Sequence, residues 1–327
     1  MTTDTKPHTE PEWGVQEIRP LSRRVAGFLG TIPTWFLWAL VFVWTIPTLG
    51  LFINSFRSRD AQRGSGWWLF WQDAETYGTG LTLDNYRDIL GSSASGGVGN
   101  ALLNSMAIAV VSTIIPIAIA AFAAYAFAWI DFKGRDILFI VTVALLAVPS
   151  QVALIPLLQM YAGGAHLTLP LIDKTITVFP DLDLAGTIPA VWLTHTGFAL
   201  PFAIFLLHNY ISGLPRDLFE SARIDGADHF TTFRKIVLPL SVPVIAAFTI
   251  FQFLWTWNDY LIALTMIGGN REALPATVVV ASLTGEFGLR EELLTAGAFI
   301  ITLVPLIVFF ALQRFFVRGI TAGSVKG

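Results

Sequence analysis

Long apolar stretches alternate with short polar segments along this chain. A helix needs about 20 mostly apolar residues to cross the hydrocarbon core of a bilayer. Six stretches reach that length, and they lie between Arg24 and Arg57, between Asp88 and Asp131 with the apolar part starting near Leu102, from Ile137 to Ile172 with an end near Tyr161, from Leu184 to Pro215, from Pro239 to about Ile267, and from Leu293 to Gln313. Because their apolar positions are continuous and do not alternate, they predict helices and not the strands of a barrel. The pattern therefore predicts an all-α, polytopic membrane protein with six transmembrane helices.

Composition agrees with a membrane protein. The 327 residues are 54% hydrophobic and only 13% charged, whereas a soluble domain carries about 25% charged residues. A net charge of −3 argues against a nucleic-acid partner. The chain has no cysteine, which excludes disulfides, thiolate metal sites and cysteine nucleophiles.

The basic residues between the apolar stretches predict the orientation. With the N-terminus inside, the inner segments hold thirteen of the 20 Lys and Arg residues, namely Lys6, Arg19, Arg23, Arg24, Lys133, Arg135, Arg216, Arg223, Arg234, Lys235, Arg314, Arg318 and Lys326. The outer segments hold the other seven, which are Arg57, Arg59, Arg63, Arg87, Lys174, Arg271 and Arg290. Since cytoplasmic segments carry the excess of basic residues, both termini are expected in the cytoplasm.

This orientation predicts a cytoplasmic tail over residues 1–24, a six-span domain over 25–318 and a cytoplasmic tail over 319–327. The first span is too long for the core of a cleaved signal peptide, so we expect it to stay as an anchor. The longest outer loop covers 57–99 and contains Trp67, Trp68 and Trp71. These tryptophans fit either an interfacial aromatic patch or a docking surface for an external partner.

One polar connection inside is long enough to hold structure of its own, at residues 212–238. Pro215 suits the first position of a helix, and Asp217 and Glu220 then fall in its first turns, where the helix dipole favours acids. Gly226 is a natural left-handed stop. Asp228 is placed to cap a second helix that carries Phe230, Phe233 and Val237 on one side.

The charges and aromatic residues of this connection leave two interpretations open. Its four acids and four bases fit a solvated surface with local pairs such as Arg216 with Glu220. Phe219, Phe230 and Phe233 need cover, however, and a short loop has little core of its own. Either a partner protein or the ends of the membrane helices must supply it.

The spacing of residues in this connection resembles the cytoplasmic loop of bacterial ABC-importer permeases. That motif is E-A-A, three residues, G, nine residues, and I-x-L-P. The chain has Glu220-Ser221-Ala222, then Gly226, then Ile236-Val237-Leu238-Pro239 at the same spacings, with Ser221 as the single departure. A small residue replaces a small residue there.

The resemblance implies a membrane subunit of an ATP-driven importer and not an enzyme. Glu220, Ser221, Ala222, Gly226, Leu238 and Pro239 would form a coupling helix that docks in a groove of an ATPase subunit. The chain has no G-x-x-x-x-G-K-[ST] stretch, so ATP and Mg²⁺ are expected on separate ATPase subunits. The expected partners are a second permease subunit, two ATPase subunits, an external sugar-binding protein, a sugar and lipid, in a bacterial plasma membrane.

Two further tracts resemble carbohydrate permeases of the type of the smaller maltose membrane subunit. These are "WTWNDYLIAL" at 255–264 and "QRFFVRGITAGSVKG" at 313–327. The resemblance implies that the tail, with Thr321, Ala322, Gly323 and Ser324, reaches the ATPase subunits, whereas a frayed terminus is the alternative. "LLTAGAFI" at 293–300 is most similar to α-glucoside permeases.

Four polar residues within the predicted spans are candidates for a sugar path: Asn258, Asp259, His195 and Gln151. An acid in a membrane helix is functional by default. Asp259 lies 20 residues after Pro239, about 30 Å along a helix, so it falls near the outer interface. Trp255, Trp257 and Tyr260 then read as an aromatic belt, and that interpretation is favoured over sugar contact. Interhelical hydrogen bonding is the alternative for the other polar residues.

Two other classes of function are weaker. An intramembrane enzyme needs paired carboxylates, a nucleophile–base pair or a metal motif, and none is found in the sequence. A secondary, ion-coupled transporter often shows inverted repeats and buried ion-binding charges, which are absent from the sequence too.

Overall fold

The computed structural model describes the backbone of residues 33–91, 97–169, 174–284 and 290–324. The predicted tail over 1–24 and the last three residues lie outside these ranges. The chain separates into two compact units, Met1–Gly50 and Leu51–Gly327. The described part of the first unit belongs to helix α1, Thr34–Ser55, which is apolar and long enough to cross a membrane.

The second unit is built almost entirely of helices. In chain order they are α2 Arg59–Gly64, α3 Asp73–Tyr77, α4 Asp84–Gly91, α5 Val98–Trp129, α6 Arg135–Ala144, α7 Ser150–Gly163, α8 Ile188–Ile211, α9 Arg216–Ile224, α10 His229–Thr232, α11 Leu238–Leu240, α12 Val242–Trp257, α13 Leu261–Ile267, α14 Ala276–Ser282 and α15 Glu291–Ser324. Short 3₁₀ turns cover Trp67–Gln72, Leu145–Ala147 and Arg271–Ala273, and a π-helical turn covers Phe233–Val237.

The centre of this unit is the pair α5 and α8, which pack along each other, with α12 against both and α15 against α12. Small side chains fill the α5–α8 contact, among them Ala120, Ala124, Ala190 and Ala203, all fully buried. Alanines let helix backbones approach closely, which is how helices associate in membranes, where no hydrophobic force drives them together. The composition of these spans thus determines which helices form the core.

Four helices are long and apolar enough to span a membrane, and two bent pairs bring the number to six if each pair is one span. The third predicted span is such a pair, because α6 with its 3₁₀ turn meets α7 at 104°. Pro149 stands at the start of α7 and cannot continue the preceding helix. The second pair bends by 71° at Ser241, just before Pro243 in the first turn of α12.

The fifth predicted span differs from the expectation of one helix running from Pro239 to Ile267. After the bend at Ser241, α12 ends at Trp257, and α13 begins at Leu261. Residues 258–260 are an interruption where the sequence pattern predicted continuous helix. The apolar part of α15 that could cross a membrane is Glu291–Ala311, close to the predicted sixth span, and the helix itself continues through the 318/319 boundary to Ser324.

The segment predicted as an outer loop is folded. Arg57 is fully buried and makes a bidentate contact with Asp73, with Nε to Oδ2 at 2.6 Å and Nη2 to Oδ1 at 2.8 Å. Its remaining N–H groups reach Asn54, Ala61 and Ser65, so its hydrogen-bonding capacity is satisfied. This pair organises α2, α3 and the Trp67–Gln72 turn into a compact cap. Trp68 and Trp71 stay exposed on it.

An antiparallel hairpin, β1 Ala165–Leu169 with β2 Lys174–Phe179, follows α7. This hairpin was not predicted from the sequence, although polar and apolar residues alternate in "TITVF" as they do in strands. Apart from this hairpin, the described residues confirm the helical fold class.

Candidate functional site: the Gly226 segment and the His195–Asp259 pair

Residues 212–241, named here the Gly226 segment, form two short helices joined at a glycine. Helix α9 starts after Pro215, with Asp217 in its first turn. It ends in a Schellman arrangement, in which Ala227 N–H donates to the Ala222 carbonyl at 2.9 Å and Gly226 N–H donates to the Arg223 carbonyl at 3.0 Å. Gly226 has φ +75°, so the predicted left-handed stop is confirmed.

The second helix begins at the predicted cap. Thr231 N–H donates to Asp228 Oδ1 at 2.7 Å. Hydrogen bonds from the side chain and backbone of Thr231 hold the pKa of the Asp228 carboxyl below its usual value. The cap starts the helical run that leads through the π turn and α11 towards α12.

The π turn lies where the chain enters the bundle. Leu238 N–H donates to the Phe233 carbonyl, five residues back. Pro239 follows and has no N–H to donate, so the regular helical ladder is interrupted at the same place. π turns inside α-helices are frequent at functional sites.

One face of the Gly226 segment is buried against the bundle and the other is open. Phe219, Phe233 and Val237 are buried in a cluster with Tyr125, Leu207 and Ile211, and Ala222 is buried as well. Of the two sources of cover predicted for the three phenylalanines, the membrane helices supply it for two, since α5 and α8 cover Phe219 and Phe233. Phe230 stays 60% exposed, and Ile224 is 86% exposed.

The charged residues of the segment lie on the open face. Glu220 and Ser221 are exposed, as are Leu238 and Pro239. The pair of Arg216 with Glu220, which the solvated-surface interpretation allowed, does not form, and the ion pairs among the described residues include none from this segment. The open face therefore presents unpaired charges next to exposed Ile224 and Phe230.

A second polar group lies at the interruption after α12. His195 of α8 is fully buried, and its Nε2 lies 3.5 Å from Asp259 Oδ2. Neither ring nitrogen has a hydrogen-bond partner in the described part of the chain. Trp255 packs edge-on against the His195 ring at 5.3 Å between centroids. The structure thus brings together two of the four residues predicted for a sugar path.

Asp259 also holds the start of α13. Its carboxylate accepts from the N–H groups of Ile262 and Ala263, at 3.3 and 2.9 Å. Asn258 is exposed, and its side chain donates to the Leu254 carbonyl. Asn258, Asp259, Trp255 and Tyr260 line an open cavity of about 560 Å³. Gln151 lies exposed on α7 and lines neither this cavity nor a second one next to Trp255 that is described below.

The aromatic-belt interpretation is wrong for Trp257. That side chain is 2% exposed, and its Nε1–H donates to the Ile301 carbonyl of α15. Tyr260 is 44% exposed and Trp255 is half-buried. The apolar pattern does not signal the helix break that follows Trp257, nor the contact of Trp255 with His195 of α8.

A second cavity of about 450 Å³ lies between α7, α8 and α12, and sequence reasoning missed it. Trp255 borders it too, together with Tyr161, Thr194 and Gly197. Pro201 also lines this cavity and leaves the Gly197 carbonyl without its usual helical donor. Tyr161 and Thr194 are buried and in contact through their hydroxyls at 3.4 Å. Trp255 therefore stands between two cavities that are both bordered by residues with hydrogen-bonding groups.

The described residues hold no group of three or more His, Asp and Glu side chains placed to bind a metal ion. At the end of the chain, Thr321, Ala322, Gly323 and Ser324 continue the α15 helix.

Comparison with known proteins identifies the family. Residues 116–322 match the model of the binding-protein-dependent transport system inner membrane component. The chain is 52% identical over 288 residues to an osmoprotective compounds uptake permease protein of Synechocystis, covering 88% of this chain and 89% of that protein. It is 53% identical over 248 residues to an α-glucoside transport system permease protein of Rhizobium meliloti, covering 76% of this chain and 61% of that longer protein.

A third relative is also a transport permease, and one solved structure shares the fold. A trehalose transport system permease protein of Mycobacterium tuberculosis is 33% identical over 259 residues, covering 78% of this chain and 86% of the relative. A bacterial ABC transporter involved in the import of the acidic polysaccharide alginate has the same fold, with a TM-score of 0.62 at 16% identity, covering 91% of this chain and 97% of that one.

These matches exclude the two weaker classes, the intramembrane enzyme and the ion-coupled transporter, because the family consists of transport components of ABC importers. Several apolar helices and the family together make the protein a multi-pass membrane protein. The chain belongs to the family of inner membrane components of binding-protein-dependent transport systems, as a carbohydrate-type ABC permease subunit.

Proposed function

We propose that this chain is one of two permease subunits of an importer for an α-glucoside or a related glucosyl compound. The observation that carries the proposal is the Gly226 segment, which is anchored in the bundle on one face and presents unpaired charges and exposed Ile224 on the other. Three relatives are named for osmoprotective compounds, α-glucosides and trehalose. A substrate that contains a glucosyl unit best accounts for all three names.

The partners follow from the family and from what the chain lacks. Two ATPase subunits bind ATP and Mg²⁺, since this sequence has no phosphate-binding loop. An external binding protein delivers the sugar, and a second permease subunit completes the path. The chain has six spans, with both termini and the Gly226 segment in the cytoplasm. The end of α15, including Thr321 to Ser324, contacts the ATPase subunits.

The mechanism assigns a task to each part of the segment. Ile224 and Phe230 provide apolar contact to the ATPase subunit, and Glu220 provides charge next to them. When ATP brings the ATPase subunits together, α9 moves with the subunit it contacts. Because α9 is packed on α5 and α8, this movement repositions the membrane helices and opens the path to the other side.

The sugar path in this subunit runs past Trp255. An indole face stacks on the apolar face of a pyranose, and Asn258, Asp259, Tyr161 and Thr194 offer hydrogen-bonding groups to hydroxyls around it. His195 lies behind Trp255 and supports it from the buried side. Gln151 is left out of this path because it lines neither of the two cavities next to Trp255.

The test is reconstitution with partners. The chain is co-expressed with candidate ATPase, permease and binding proteins, and sugar-stimulated ATP hydrolysis is measured in lipid for trehalose, maltose and a glucosyl-polyol. We expect stimulation by one of these sugars, and loss of co-purification with the ATPase in Glu220→Lys/Gly226→Pro. Asp84→Lys, an exposed acid on α4, is the matched charge control. Wild-type activity in the double variant would refute the proposal.

A further inference from the structure

Three aromatic residues on one face of α5 hold the Gly226 segment. Phe122, Tyr125 and Trp129 are spaced three and four residues apart, which places them in one row along the helix. Each of them contacts a ring of the Gly226 segment, so we name the set of three with Phe219, His229 and Phe233 the aromatic clamp.

The contact nearest the end of α5 is the tightest. Trp129 and Phe219 stack with 3.6 Å between centroids and 17° between planes. The Trp129 Nε1–H donates to the carbonyl of Ile211, the last residue of α8, at 3.1 Å. One indole therefore joins α5, α8 and α9, and it shares the Ile211 carbonyl with the Leu214 N–H, which donates to it at 3.2 Å.

The other contacts hold the second half of the segment. Phe122 stacks on Phe233 at 4.4 Å between centroids and 26° between planes. Tyr125 packs against Phe233, and its hydroxyl lies 3.0 Å from His229 Nδ1. Both sides of the Gly226 bend are thus fixed to the same helix.

Among the described residues, α9 is held to the bundle by packing and not by ion pairs. Its charged side chains form no ion pair there, and α9 and α10 are nine and four residues long. Helices of this length are not stable alone. Their position therefore depends on the buried side chains of Phe219 and Phe233, whose contacts include the rings of α5.

We propose that the aromatic clamp is the element that transmits movement of α9 to the membrane helices, with Trp129 as the central positioning residue. The inference rests on the proposed function and specifies how the segment acts. With the clamp intact, α9 and the end of α5 move as one body. Without the Trp129–Phe219 stack, α9 follows the ATPase while α5 lags behind, and ATP hydrolysis becomes uncoupled from transport.

The first test measures sugar transported per ATP hydrolysed in the reconstituted importer. Trp129→Ala is expected to co-purify with the ATPase and to hydrolyse ATP, but to transport about tenfold less sugar per ATP, within the range of coupling free energies between sites. The exchange variant Trp129→Phe/Phe219→Trp restores a stacked pair and should recover most of the ratio. Phe132→Ala is the control, because Phe132 lies just beyond the end of α5 and its ring contacts Phe127 instead of the Gly226 segment.

The second test measures the movement itself. The chain has no cysteine, so Lys133→Cys and Arg223→Cys accept spin labels selectively on either side of the clamp. With cysteine-free partners, we expect the label distance to stay the same with and without trapped ATP, and to shift or broaden on ATP trapping in Trp129→Ala.

The outcomes separate the two claims. Failure of the wild-type chain to associate with any ATPase contradicts the proposed function and the clamp with it. Association, with a wild-type sugar-to-ATP ratio and an unchanged label distance in Trp129→Ala, contradicts the clamp alone.

Discussion

The side-chain amide of Gln252 donates to the backbone carbonyl of Ser112 at 3.1 Å, between α12 and α5. That carbonyl is the one left without a donor by Pro116, four residues further along α5. A polar side chain on one span thus compensates for a proline inside another. The hydrogen bond is buried, since Gln252 is 1% exposed.

Replacing Gln252 should therefore destabilise the contact of α12 with α5. We expect Gln252→Leu to lower the free energy of unfolding by about 1 kcal/mol, the scale of interhelical hydrogen bonds in membranes. Reversible unfolding in mixed detergent micelles measures it. Gln159→Leu, on the exposed side of α7, should change stability little. Equal losses in both variants would contradict the role of the hydrogen bond.

Gly226 should not tolerate a side chain, for reasons of conformation and not of space. An added Cβ would meet nothing within 4 Å, but φ is +75°. A left-handed alanine costs about 1–2 kcal/mol relative to a right-handed one. We expect Gly226→Ala to loosen the segment, measured as faster hydrogen exchange over 215–232, and to weaken ATPase association. Gly163→Ala, which also has open space but no positive φ, is the control, and a similar effect there would argue against backbone strain.

The Asp228 cap predicts a specific pH dependence. Its folded pKa is lowered by Thr231, so its contribution is complete above the unfolded pKa of about 3.9 and is lost as pH falls through the lower folded value. Between pH 6 and 8, about two or more units above that pKa, protection of the Thr231 amide should be constant. Asp228→Ala should reduce this protection, measured by hydrogen exchange, whereas Asp225→Ala should not. Titration of the protection near neutral pH would contradict the assignment.

The buried pair of Arg57 and Asp73 should be sensitive to removal of one partner. Asp73→Ala leaves the guanidinium buried and unpaired, which costs about 3–5 kcal/mol in such sites. We expect the cap formed by α2 and α3 to become protease-sensitive. Asp84→Ala breaks the exposed pair with Arg87, and such pairs contribute only about 0–1 kcal/mol to stability. This variant should therefore leave the cap resistant to protease. Resistance in both variants would show that the ion pair does not hold the cap.

Asp259 provides a test of the sugar path. Asp259→Asn keeps one acceptor oxygen, which can retain the shorter bond from the Ala263 N–H and loses only the longer one from Ile262, so α13 should remain folded. The loss of charge next to His195 and the cavity should raise the half-saturating sugar concentration by about tenfold, which corresponds to 1.4 kcal/mol. Uptake by reconstituted vesicles measures it, with Asp88→Asn as the exposed control. Unchanged uptake would favour a purely structural role in capping α13.

The local features of the Gly226 segment were predictable because neighbouring residues determine them. The left-handed glycine and the Asp228 cap each depend on backbone geometry within a few positions, and both are confirmed. The cover of Phe219 was not predictable in the same way. It comes from Trp129, which lies in another helix, and sequence spacing carries no information about that contact.

The interruption between α12 and α13 shows a similar limit. The tract "WTWNDYLIAL" is apolar enough to continue a helix, and its position within the fifth apolar stretch predicted a continuous helix. In the structure the Asp259 side chain caps a new helix instead. Its backbone carbonyl accepts a hydrogen bond from the Thr277 hydroxyl, which comes from a later part of the chain. The approach of α8, which places His195 next to Asp259, is equally a property of the packed bundle.

The π turn at Phe233–Val237 holds one more residue than an α-helical turn would. Removing a single residue there would restore ordinary winding and keep the faces of the helices on both sides in register, whereas the same deletion within α12 would rotate everything after it by about 100°. The chain therefore contains one position next to its bend where its length can change by one residue without altering which side of α12 meets α5.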